Sequence, residues 1–188
     1  MRRILSQMKP VYMGVDPAFR HGGFAVCLLD MEKRTAEFKV MDLLEFHDWL
    51  RTDAPEFCFV AVENSNMQNQ NFDTSGSKEE VARKGRNVGC NQAVSELAYQ
   101  SAVRRYGAEN VFQVSPREKG AKVKDAKVFA AIMRADGITP PKGQISQDKR
   151  DAYKLSLIAR QKALYAGRFK NVNPCTKQSK TTLTTSPT

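Results

Sequence analysis

Histidine and cysteine, the nitrogen and sulfur ligands of structural zinc sites, number only two and four in this chain of 188 residues. Cys27, Cys58, Cys90 and Cys175 stand far apart, and no pair has the short spacing of a zinc ribbon or a redox motif. With only His21 and His47 besides, a structural zinc site is not expected. Cys27 and Cys58 sit in apolar runs and read as core residues. Free thiols suit a reducing cytosol, the expected compartment (a host's cytosol if the gene is carried by a phage or mobile element). Long apolar runs are also missing. None approaches the roughly 20 residues that cross a membrane, and residues 1–10 are too polar for a signal peptide. Acidic residues are in deficit, 20 against 30 Lys and Arg, for a net charge of +10. Such a balance favours a polyanionic partner, with nucleic acid first and an anionic membrane surface second.

Length and a 41% hydrophobic content suit one compact domain. Residues 1–168 read as that domain. Residues 169–188 are rich in Thr, Ser and Lys with almost no apolar side chains, and read as a disordered basic tail.

Residues 11–15 (VYMGV) form a short apolar run that stops at Asp16 and Pro17. A turn with two glycines leads to a second run at 24–29, and residues 37–41 alternate as a third strand. Leu43, Leu44, Phe46, His47 and Leu50 have helical spacing. Residues 57–62 (FCFVAV) are continuously apolar and end at Glu63, as a central parallel strand would. The polar residues 64–85 read as a mobile loop, followed by a helix from Asn87 or Gly89 to Tyr106. Residues 111–114 form a strand ended by Ser115 and Pro116. A basic stretch at 119–127 leads into a helix near 124–135, and a last helix spans about 147–166. Three antiparallel strands followed by alternating helices and strands predict an α/β fold with a mixed five-stranded sheet flanked by helices.

Asp16 and Glu63 each close an apolar strand. If those strands are parallel neighbours, both carboxylates emerge at the carboxyl edge of the sheet, where open α/β sheets hold ligands. Asp148 and Asp151 are spaced i, i+3 and share a side of the last helix. Taken singly, Asp16 reads as a turn residue and Asp148 as a first-turn acid. Together, four carboxylates that repel one another invite cations between them. Hard oxygen ligands suit Mg²⁺ or Mn²⁺, and two such ions can hydrolyse a phosphodiester.

These motifs resemble those of the RuvC family of Holliday-junction resolvases, within the RNase H-like superfamily. GVDP at 14–17 with a following Gly-Gly turn, VAVEN at 60–64 before a polar loop and a helix, and DKRDA at 148–152 before an apolar helix occur in the family's order. The resemblance covers residues 11–163. It implies that residues 1–168 are an RNase H-like nuclease domain, with Asp16, Glu63, Asp148 and Asp151 as catalytic acids. Those acids would hold two Mg²⁺ ions, with Mn²⁺ able to substitute. The implied substrate is a branched four-way DNA junction, cut by a homodimer through symmetric paired nicks that leave 5′-phosphate and 3′-hydroxyl ends. The family's basic residue near the site matches Lys124 best, with Lys119 and Lys122 close by; a solvated basic face is the plainer reading of all three. A junction-prying aromatic is expected soon after Glu63, where this chain instead has Asn66 and Met67, with Phe72 further on. For a branch-migration helicase as a further partner the sequence carries no signature.

Other readings have weaker support. A general structure-selective nuclease would use the same acids, and a non-catalytic DNA-binding module would not need all four. A sugar-kinase or actin-like ATPase lacks its second Gly-rich loop here. A transposase or integrase would bring a separate DNA-binding domain.

Overall fold

The computed structural model describes residues 10–18, 23–67 and 75–167. The expected tail at 169–188, Phe72, His21 and Cys175 lie outside them. Five strands make one sheet: β1 (Val11–Asp16), β2 (Phe24–Asp30), β3 (Thr35–Met41), β4 (Cys58–Glu63) and β5 (Val111–Val114). Their order is β3-β2-β1-β4-β5. β1, β2 and β3 pair antiparallel, while β4 runs parallel to both β1 and β5. This is the expected mixed five-stranded α/β sheet, flanked by helices.

Side chains alternate across a strand, so each central strand serves two cores. Met13, Val15, Val60 and Val62 face α1 (Leu43–Thr52) and α2 (Lys78–Tyr106), where Phe46, Leu50, Val94, Ala98 and Ala102 are buried. Tyr12, Phe59 and Ala61 face α4 (Ala126–Ala135) and α5 (Gln147–Tyr165). Between β5 and α4 lies α3 (Pro116–Lys119), a single turn.

α5 is the helix that positions the site. Ala152, Leu155, Ser156, Ala159 and Ala163 are buried along one stripe at three- and four-residue spacing. Most of these are small, and opposite them β1 carries Gly14. A Cβ on Gly14 would overlap the carbonyl oxygen of Ala152 and the amide of Ser156. Helix and strand therefore meet backbone to backbone at this one point.

Two expectations change. α2 begins at Lys78, so residues 78–85 of the expected loop at 64–85 are helix. Ser77 and Glu80 form a capping box that starts it. This half of the helix is largely exposed, so no apolar period marked it in the sequence. Residues 116–119, expected as the end of a strand and the start of a basic stretch, form α3. Ser115 caps it by accepting from the Glu118 amide, and Pro116 takes a first-turn position where its missing N–H costs nothing.

The contact at Gly14 sets a prediction. Gly14→Ala must push α5 off the sheet and should cost about 3 kcal/mol of stability. Urea denaturation of the two proteins measures it, and an unchanged midpoint would count against the close approach.

Candidate active site at the carboxyl edge of the sheet

Strand parity decides where the first two acids point. Asp16 follows Tyr12 and Gly14 on the face of β1 toward α5, and Glu63 follows Phe59 and Ala61 on the same face of β4. The β1–β4 register pairs Val15 with Val62, so Asp16 and Glu63 are one step further along neighbouring strands. α5 supplies the third acid. Asp151 immediately precedes Ala152, whose carbonyl abuts Gly14, and its side chain is 2% exposed.

The fourth member is a cation. Lys119, the last residue of α3, enters beneath the edge with a side chain 7% exposed. Its Nζ donates to Asp151 Oδ2 at 3.0 Å and to Asp16 Oδ1 at 3.3 Å, and it forms an ion pair with Glu63. Three carboxylates from three elements thus converge on one ammonium.

Neighbouring bonds hold each member. Gln147 Nε2 donates to Asp151 Oδ1 at 2.8 Å. After Glu63 the chain is tied down at once: the Asn64 amide donates to Val114 O, and Ser65 Oγ reaches Asn91 O and Ser95 Oγ on α2. Lys162 pairs with Glu118, linking α5 to α3. Arg150 is buried, and its guanidinium donates to the carbonyls of Ile145, Val123 and Lys124, so the segment after Lys119 is fastened to α5 beside Asp151.

The electrostatics follow from this crowding. Burial raises the Asp16 carboxyl pKa from 3.8 to about 8, against the pull of Lys119 and with the help of Glu63 and Asp151. Burial also disfavours the charge on Lys119, but Asp16, Glu63 and Asp151 outweigh it and hold its pKa above the ordinary lysine value. One ammonium is shared among three acids. Glu63 Oε2 is buried and, apart from the ion pair with Lys119, accepts no hydrogen bond among the described residues.

The all-oxygen donor set suits a hard divalent cation. Its present spacing does not enclose one. Among the described residues, no three acidic, histidine or cysteine side chains are arranged as a metal cage. The point on which the acids converge holds Lys119 instead.

The remaining sequence candidates lie outside the cluster. Asp148 stands one turn before Asp151, exposed, with no ion pair or hydrogen bond among the described residues. Its i, i+3 spacing keeps it on that side of α5, but beyond the edge of the sheet. Lys122 and Lys124 are exposed in the segment tied by Arg150. Met67 closes a 3-10 turn after Glu63 and is half exposed. Lys119, and not the expected Lys124, is the basic residue at the acids. The Ser115-Pro116 helix start was the signal that could have found it, because one helical turn after β5 returns the chain to the sheet edge.

Two predictions follow. The folded protein keeps on Asp16 a proton that the unfolded chain releases near pH 4, so the folded state binds more protons between the two pKa values. Metal-free stability from this group is therefore full below about pH 4 and falls as pH rises toward about 8. Asp16→Asn should flatten that fall, as read from urea midpoints across the range; an equal slope in both proteins would contradict it. Lys119→Met leaves buried acids without their cation and should cost about 3–5 kcal/mol in metal-free buffer, measured by the same denaturation at neutral pH.

A scan of the sequence against models of protein families finds no match, and no curated protein matches it. Among solved structures, T. thermophilus RuvC in complex with a Holliday junction substrate aligns with 84% of this chain and 96% of that one. The identity is 19% and the TM-score 0.47. The chain is similar to that protein in outline, and the reading of the site rests on its own geometry.

Proposed function

We propose that this chain is a divalent-metal-dependent nuclease that cuts four-way DNA junctions. One observation carries the reading: Asp16, Glu63 and Asp151, from three separate elements, converge at the carboxyl edge of the sheet. A protein needing only stability would gain little from burying three acids. The net charge of +10 supports a polyanionic substrate. The junction itself is supported by the order of the GVDP, VAVEN and DKRDA motifs, which resembles the resolvase pattern.

Asp16, Glu63 and Asp151 would hold Mg²⁺ or Mn²⁺. Such an ion acidifies water and offsets charge developing on a phosphodiester. In the hydrolysis, a water oxygen bonds to phosphorus and the bond to the 3′ oxygen breaks, leaving a 5′-phosphate and a 3′-hydroxyl. The chain's own part is to keep the acids rigid on two strand ends and on α5, and to exclude bulk water below them. Lys119 would have to leave the centre of the cluster, which frees its ammonium to face the phosphate. A second ion would need Asp148 to turn inward from its exposed place. Lys122 and Lys124 would hold the backbone nearby, with Met67 and Phe72 against the opened bases. Paired symmetric nicks require two sites, and a homodimer supplies them; the half-exposed Leu97 on α2 is a suitable contact.

A second reading has its own observation. Lys119 already neutralises part of the cluster, as it would in a non-catalytic junction-binding module. Cleavage separates the two. Labelled four-way junctions, duplexes and single strands are incubated in Mg²⁺ with wild type and Asp16→Asn. The nuclease reading expects paired nicks on the junction alone, at least about 10³-fold fewer in the variant, with junction binding retained. Cutting of every substrate would move the assignment to a general nuclease. Tight junction binding without cutting in Mg²⁺ or Mn²⁺ would leave the binding module.

A further inference from the structure

The chain's second concentration of charge lies away from the acids, between the last turns of α1 and α2. His47, Leu50 and Arg51 on α1 have the same i, i+3, i+4 spacing as Ser101, Arg104 and Arg105 on α2. Each helix therefore turns one such trio toward the other, and the six side chains line a cavity of about 380 Å³. Leu50 is buried in the core below. His47 Nδ1 and Ser101 Oγ lie 3.3 Å apart and join the two helices. The guanidinium of Arg105 is steadied by Ala54 O at 3.5 Å and lies 5.8 Å from the centre of the Tyr106 ring.

The lining is one-sided in its chemistry. Guanidinium groups donate hydrogen bonds and accept none, while the hydroxyl and imidazole can donate as well. No carboxylate lines the cavity. Among the described residues, none of the three arginines pairs with an acid. A cation in a last helical turn offsets the helix dipole, which accounts for a basic residue on each helix. It does not account for three guanidiniums sharing one cavity with a hydroxyl and an imidazole, where like charges repel.

We propose that this cavity is a binding site for a phosphate oxyanion, supplied by the DNA backbone or by a small phosphorylated molecule. Arginine presents paired donors that match phosphate oxygens, and the volume admits the group with its ester substituent. The site is separate from the acids. Ser65, beside the end of β4, bonds to Asn91, and Ser101 is about ten residues further along α2, a rise of about 15 Å. The proposal stands whether or not the chain cuts DNA.

The test uses Arg51→Gln/Arg104→Gln, both at exposed positions. Arg134→Gln/Lys142→Gln, exposed elsewhere, is the control with the same change in charge. Inorganic phosphate is titrated calorimetrically into wild type and both variants in a phosphate-free, metal-free buffer. Thermal midpoints check that each is folded. Phosphate should bind the pocket variant about tenfold or more weakly and the control as it binds wild type. Equal affinity in the pocket variant, or no binding to wild type, overturns the proposal. Affinity for duplex DNA against salt then identifies the source. If the backbone is the ligand, the pocket variant loses about one more unit of salt slope than the control. Equal slopes with phosphate binding lost assign the site to a small phosphate.

Discussion

Three carboxylates held out of water beside one another need a positive charge among them, and in this chain Lys119 provides it. Most of what surrounds the sheet edge follows from that need. α3 exists as a single turn to bring Lys119 back under β1 and β4. The bonds from Arg150 and the pair between Lys162 and Glu118 keep the segment around α3 fastened to α5. The balance is incomplete, since one ammonium faces three acids; burial, helped by Glu63 and Asp151, raises the Asp16 pKa to about 8. The cluster is therefore buried and short of positive charge, with Lys119 at the point where its acids converge.

Rigidity at this site comes from backbone as much as from side chains. Gly14 lets the backbone of α5 touch β1, and Ala152, Ser156 and Ala159 continue the low profile along the helix. Asp151 therefore faces Lys119 because its neighbour in sequence is pressed against a strand. The same contact explains why Asp151 and not Asp148 joins the cluster. One turn earlier, in the first turn of α5, Asp148 is exposed.

The architecture was largely legible before any coordinates, because apolar runs report strands directly. FCFVAV at 57–62 reads as a central strand buried on both sides, and β4 (Cys58–Glu63) occupies the sheet interior between β1 and β5. Helices were legible where they pack and illegible where they do not. α1 and α5 show their apolar stripes, but the first half of α2 is bathed in solvent and announces itself only through Ser77 and Glu80. Lys119 was harder still. In sequence it is one of several lysines in a basic stretch, and nothing in its type separates the buried one from the exposed Lys122 and Lys124.

What the amino-acid order determined by itself is local: runs that make strands, the carboxylates that end two of them, the caps that start helices, and the excess of positive charge. These depend on spacing over a few residues, and spacing is what a sequence displays. Which acids meet, which lysine lies among them, and which arginines share a cavity were decided by tertiary structure alone. These facts join residues far apart in the chain: Lys119 stands 32 positions from Asp151 and 103 from Asp16. Only the pairing of β1 with β4 and the seating of α5 on Gly14 brings such distant charges to one point.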